Sequence, residues 1–231
     1  MWKIILVLLW SSAGFGISAG EIIKKTDQIR NPQTSFEMKV EVKSSEDSVP
    51  HLFSVFTKGN NKTLIETLSP SRDKGRDLLM VGENMWAYIP NLKRAVRVSL
   101  SQKLTGDAAN GDISRMQWAE DYSAKITKDD KKSWELMLSA NKKGLTYEKI
   151  RVEVEKNTYR PVQADYLSKD GKKLKSAVFT NYQKLAGENR PSQIIISDAV
   201  RKNQKSTITI SEMKVKSLPN SYFSKEKFQN R

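Results

Sequence analysis

The chain has no cysteine and only one histidine, His51, among 231 residues. It therefore holds no disulfide and no lipidated N-terminal cysteine. A zinc site lacks ligands, and a hydrolase triad built on His51 lacks partners of these residue types. Neither G-x-G-x-x-G nor G-x-x-x-x-G-K-[ST] occurs, so no loop of the phosphate-cradling kind is present. Carboxylates remain, but the conspicuous pair Asp129-Asp130 is flanked by lysines in a turn-like stretch, where solvated charge is the ordinary role. The sequence reads as that of a non-enzyme, and no cofactor or metal is expected.

Long hydrophobic runs are also missing. The most apolar stretch, Ile4 to Trp10, follows Lys3 and gives way to small residues up to Ala19. A basic start, a short apolar centre and a small residue at the end describe a secretory signal peptide, here 1–19 with cleavage after Ala19; the run is too short for a membrane span. Ile17 is larger than the residue usual three positions before a cut, so a site one or two residues away also fits, and an uncleaved anchor is the alternative. Export of residues 20–231 as a single domain follows. An envelope protein of this size without disulfides is unremarkable.

Charge is plentiful and one-sided. Lys and Arg number 40 against 26 Asp and Glu, a formal net charge of +14, or about +13 once Lys3 is removed with the leader. Nucleic acid is the common partner of such a chain, but an exported protein meets anionic lipid head groups instead, and no nucleic acid partner is expected. The basic residues are spread along the predicted strands, which fits a solvated face equally well.

Helical periodicity is confined to two places. Glu21 to Arg30 places Ile22, Ile23 and Ile29 on one side and is stopped by Pro32; Ile113, Met116 and Ala119 recur at helical spacing behind Asp112 as an N-cap, predicting a short helix over 112–120. Elsewhere the period is two. Phe36, Met38, Val40 and Val42 alternate with charged residues, and similar segments separated by Gly, Asn and Asp turns bring the count to about thirteen strands. The fold expected is mainly β with short helices: one antiparallel sheet curved into an incomplete barrel and covered by the helices, since a flat sheet of that size leaves long edges bare.

Large apolar side chains at alternate strand positions suggest the wall of an apolar cavity: Phe36, Met38, Val40, Leu79, Trp86, Tyr88, Val96, Val98, Trp134 and Leu136, with Met116 and Trp118 contributed by the cover. An ordinary barrel core is the alternative for each of them. Gly106 and Gly111 in the cover are hinge candidates or parts of a surface loop. Arg94 and Arg97 either meet lipid head groups or an acidic partner, or serve as charges that block edge pairing.

A family resemblance rests on Gly75-Arg-Asp-Leu-Leu-Met-Val-Gly82, Asn84-Met-Trp-Ala-Tyr-Ile-Pro90, Arg94-Ala-Val-Arg97, Ser99-Leu-Ser-Gln102, Gly106-Asp107 and Asn110-Gly-Asp-Ile113. Asp27-Gln-Ile-Arg30 and Leu218-Pro-Asn-Ser-Tyr-Phe223 fit it as well. These segments resemble the bacterial outer-membrane lipoprotein-sorting family, whose members look like the periplasmic carrier LolA. The resemblance implies an incomplete barrel that holds the acyl chains of lipoproteins or other lipids. It also implies a location in the periplasm, with an inner-membrane transporter of the ABC or RND/MMPL type on one side and an outer-membrane acceptor on the other. A sensing module of the same fold, bound to a protein partner and carrying no lipid, is the alternative.

Overall fold

Alternation along the first strand sets the two faces of the whole sheet. In β1 (Phe36–Ser44), Phe36, Met38, Val40 and Val42 are almost fully buried while Glu37, Lys39 and Glu41 are half-buried. Because side chains on a strand alternate, each neighbouring strand inherits this division through its register. The computed structural model describes residues 16–115, 117–201 and 203–230. Most of the expected signal peptide, and Met116 of the expected cavity, lie outside them.

Six strands come first: β1, β2 (His51–Lys58), β3 (Lys62–Ser69), β4 (Leu78–Val81), β5 (Asn84–Ile89) and β6 (Arg94–Val98). A segment containing the small hairpin β7 (Lys103–Thr105) and β8 (Ala108–Ala109) and the helix α2 (Asn110–Ser114) follows. Seven more strands complete the series: β9 (Tyr122–Asp129), β10 (Ser133–Ala140), β11 (Lys149–Glu155), β12 (Pro161–Leu167), β13 (Lys173–Leu185), β14 (Glu188–Asp198) and β15 (Lys205–Val215). The helix α1 (Ala19–Arg30) precedes them and α3 (Lys225–Gln229) ends the chain.

Thirteen of the strands form one antiparallel sheet in the order β6-β5-β4-β3-β2-β1-β15-β14-β13-β12-β11-β10-β9. Sequential hairpins account for every neighbour except β1 with β15, which pair from Phe36 opposite Val215 to Ser44 opposite Ser206. The sheet is not closed; β6 and β9 are its edges, and the chain joins them directly through residues 99–121. That segment has to cross the opening, and it does so on the inner face.

One row of side chains on this face reads Met38, Val55, Ile65, Leu78, Ala87, Val96 across β1 to β6. A matching row on the other half reads Leu136, Val152, Ala164, Ala177, Ile196 across β10 to β14. Apart from Val96, both rows contribute to one hydrophobic core, with Ala87 packed against it, that also takes in Ile22 and Ile23 of α1 and Ile113 and Trp118 of the cover.

Helix α1 opens with a capping box, Ser18 and Glu21 each answering the other's backbone N–H. A helix of 12 residues is marginal alone. It is held by packing against β9 and β14 and by the buried Arg190 of β14, whose guanidinium donates to the terminal carbonyls of Gln28 and Ile29. Arg190 pays for this with desolvation, which lowers its pKa from the usual arginine value.

The cover differs from the helix predicted over 112–120. Helix α2 begins at Asn110, because the Asp112 carboxylate accepts the backbone N–H of Ala109 from inside the first turn instead of capping from outside it. It stops at Ser114. Beyond it, the backbone N–H groups of Trp118 and Ala119 are taken by the Asp27 carboxylate of α1 at 2.7 and 2.8 Å, which replaces helix continuation as their hydrogen-bonding solution.

Candidate functional site: an apolar cleft under the strap

Three buried carboxylates fasten the strap, residues 99–121, to the barrel. Asp27 takes two strap N–H groups and is also met by Arg30 at 3.2 Å, whose guanidinium lies 3.7 Å above the Trp118 ring. Burial outweighs these favourable partners and raises the Asp27 pKa to about 6. Asp112 accepts from Lys175 Nζ of β13 at 2.6 Å and from the Tyr147 hydroxyl at 2.8 Å. Asp121 is held by both nitrogens of an Arg115 fork, and Arg115 Nη1 reaches the Gly82 carbonyl in the β4–β5 turn. The cover is thus tied to α1, to β13 and to the first hairpins.

Between the strap and the edge of the sheet lies a cleft of about 390 Å³. Phe53, Leu78, Ala87, Ile89, Val96 and Val98 form its sheet wall and Leu104 its strap wall. His51, Thr67, Asp73, Arg76, Gln102, Lys103 and Asn110 complete it. Its size falls within the range of about 300–1,000 Å³ typical of small-molecule sites, and its exposed lining is predominantly apolar, which is typical too.

His51 does have partners. Its Nε2 faces Asp73 Oδ2 at 3.3 Å and its Nδ1 faces the Thr105 hydroxyl at 3.0 Å, so both ring nitrogens are engaged and the imidazole braces β2 against β7. These hydrogen-bonding partners come from a loop 22 residues on and a strand 54 residues on. Burial pushes the Asp73 pKa up, but hydrogen bonds from Arg76, His51 and Arg72 outweigh it and hold the carboxyl below its ordinary value.

The residues expected in one cavity wall divide into three groups. Val96 and Val98 line the cleft. Phe36, Met38, Val40, Trp118, Trp134 and Leu136 lie in the close-packed core beside it, Trp134 stacked on Tyr159. Leu79, Trp86 and Tyr88 are on the opposite face. There the row Phe56, Leu64, Leu79, Trp86 meets Leu218, Phe223 and Phe228 of the C-terminal segment in a second, separate core. The register is the physical reason: Met80 opposes Met85 across the β4–β5 hairpin, so the odd-numbered positions of β5 face inward and the aromatic ones outward. The cleft residues missed by the sequence analysis, Leu78, Ala87 and Ile89, follow from the same register.

Arg94 and Arg97 also part company. Arg97 pairs across the sheet with Trp86 on the outer face and donates to Asn84 Oδ1. Arg94 opposes Ile89, shares the inner parity of Val96 and Val98, and is exposed. The two glycines are positions of close packing. A Cβ on Gly106, which has φ +54°, would sit 2.4 Å from Ser206 Oγ and 2.8 Å from Ser44 Cβ; one on Gly111 would sit 1.8 Å from Thr146 Oγ1. Both mark places where the strap backbone presses against the barrel.

An open antiparallel barrel with an internal helix, crossed by a strap that leaves an apolar cleft, defines a class of binding scaffold. Its relatives are consistent. A LolA superfamily protein from Nitrosomonas europaea matches with 31% identity over 92% of this chain and 100% of its own, with a TM-score of 0.86. A putative outer membrane lipoprotein-sorting protein domain from Vibrio parahaemolyticus shares the fold at 20% identity, covering 91% of this chain and 98% of its own, with a TM-score of 0.78. A DUF1329 family protein from Desulfovibrio piger does so at 20% identity, 91% and 97% coverage and a TM-score of 0.75. A family model described only as "-like: Uncharacterized protein" matches residues 59–230. No curated protein matches the sequence. The chain belongs to the LolA superfamily.

Proposed function

We propose that this protein is a periplasmic carrier that binds an acyl chain of a lipoprotein or lipid in the cleft under the strap. In this reading it takes the chain from an inner-membrane transporter, of ABC or RND/MMPL type, toward an outer-membrane acceptor. Residues 1–19 act as the export signal and 20–231 as the single carrier domain. The observation that carries the reading is the aliphatic wall of Leu78, Ala87, Ile89, Val96 and Val98, left uncovered by the strap in an otherwise closely packed interior. Leaving a sixteen-carbon chain in water costs on the order of 12 kcal/mol at about 0.8 kcal/mol per methylene, so a carrier that shelters even part of it accelerates transfer. The chemistry is binding and release, not catalysis.

Transfer of a fluorescent acyl lipid between donor and acceptor vesicles tests it. Protein should speed transfer, and Val96→Asp should abolish the acceleration while leaving the far-ultraviolet circular dichroism intact. Transfer equally fast with and without protein contradicts the reading. Dense packing of the interior around α1 favours one other reading, an envelope module that binds a protein partner and carries no lipid. Stable capture of a defined periplasmic domain of a transporter, together with absent transfer, supports that one.

A further inference from the structure

The cleft is lopsided in charge as well as in polarity. Its sheet wall is apolar, and three of its ionisable groups form one cluster, Arg76 and the imidazole of His51 on the single lining acid Asp73, while Lys103 pairs with Glu46. Asp73 does not oppose an incoming anion as a bare carboxylate would, because it already accepts hydrogen bonds from His51, Arg72 and Arg76. Arg76 spends Nη1 on Asp73 and leaves its side chain 55% exposed, with further N–H donors to offer. Arg94, paired across the strands with the lining residue Ile89 though outside the lining itself, adds a second guanidinium. It stands next to Ile89 on the side of the sheet that carries Val96 and Val98, and it forms no ion pair among the described residues.

We propose that the cleft selects a single-chain amphiphile with an anionic head group, the chain lying against Val96 and Val98 and the head group held at the rim by Arg76 and Arg94. The inference rests on the carrier reading and names the class of cargo. Three features support this occupant over others. The volume of about 390 Å³ lies near the lower end of the range for small-molecule sites, which suits one chain better than two. A carboxylate or phosphodiester gains charge-assisted, bidentate hydrogen bonds from guanidinium forks, whereas a choline head group would set its own cation against them. A nucleic acid strand would need aromatic platforms, and Phe53 is the cleft's sole benzene-type ring.

Direct titration of the purified chain distinguishes these cases. The probes are palmitoyl lysophosphatidylglycerol, palmitate and palmitoyl lysophosphatidylcholine, each below its micelle threshold at fixed ionic strength. Both anionic probes should bind at least about tenfold more tightly than the zwitterionic one, because the choline cation is repelled by the guanidinium groups that its phosphodiester would meet. The double variant Arg76→Gln/Arg94→Gln should erase this preference while keeping the zwitterionic affinity. Arg97→Gln, which removes the same charge from the outer face, should leave all three affinities as they were. Equal affinity for the anionic and zwitterionic probes overturns the head-group inference and leaves the carrier reading standing. Binding of none of them overturns both.

Discussion

Asp27 gives the most quantitative test of how the strap is held. Its carboxylate is 2% exposed and carries a pKa raised from 3.8 to about 6, because burial outweighs Arg30 and the two strap N–H donors. Between pH 4 and 6 the folded protein therefore keeps a proton that the unfolded chain has released. The contribution of this group to stability is fullest below pH 4 and declines as pH rises toward 6. At 1.36 kcal/mol per pKa unit, a shift of about two units corresponds to a loss of about 3 kcal/mol. Asp27→Asn fixes the neutral form, and its amide oxygen can still accept from Trp118 and Ala119. Urea unfolding of both proteins at pH 4, 5, 6 and 7 reads the effect. The two should be of similar stability near pH 4, and the variant should gain about 3 kcal/mol relative to wild type by pH 7. Taking the difference cancels Asp73, Asp165 and Asp198, whose lowered pKa values act in the opposite sense. Asp27→Ala, which leaves two buried N–H groups without an acceptor, should cost roughly 1–3 kcal/mol for each at any pH. A wild-type-minus-Asn difference that stays flat, or runs the other way, would falsify the account of burial as the dominant influence on Asp27.

Other perturbations follow from named contacts. Lys175→Met leaves the Asp112 carboxylate buried without its ammonium and should destabilise the protein by about 3–5 kcal/mol in urea unfolding; adding Asp112→Asn should recover part of this. Gly111→Ala drives a methyl into Thr146 and should cost about 1–3 kcal/mol, partly relieved by Thr146→Ala because the hydroxyl is the nearest atom. Trp86→Asp and Val96→Asp lie on opposite faces of adjacent strands and should separate: the first exposes the C-terminal segment to limited proteolysis with lipid loading preserved, the second lowers loading with that segment still protected.

Much of the architecture is legible in the sequence for a simple reason. The period-two alternation of Phe36 to Val42 and its successors fixes strand identity, and Gly-, Asn- and Asp-rich turns delimit hairpins, so thirteen strands in one open sheet can be anticipated. Facing is harder. Which of Trp86 or Ala87 points inward depends on the register across the Gly82–Asn84 turn, and a slip of one residue exchanges the faces. Aromatic size drew the expectation toward Trp86 and Tyr88, but those rings are absorbed by Phe223 and Phe228, which lie more than 130 residues away in sequence. The alternation Arg94-Ala-Val-Arg-Val98 separates the two faces of β6, since Val96 and Val98 share a parity that Arg97 does not. The geometry of the strap is not legible in the sequence, because its fastenings to Asp27, Lys175 and Tyr147 are tertiary and leave no local trace.

Native mass spectrometry of the protein isolated directly from a cell envelope tests the central claim most directly. The account predicts a bound fraction heavier than the apoprotein by the mass of an acyl-bearing molecule, lost in Val96→Asp and retained in Arg97→Gln. Wild-type protein that flies only at the apoprotein mass, while Val96→Asp matches it in every charge state, would contradict the claim that the cleft is a lipid site.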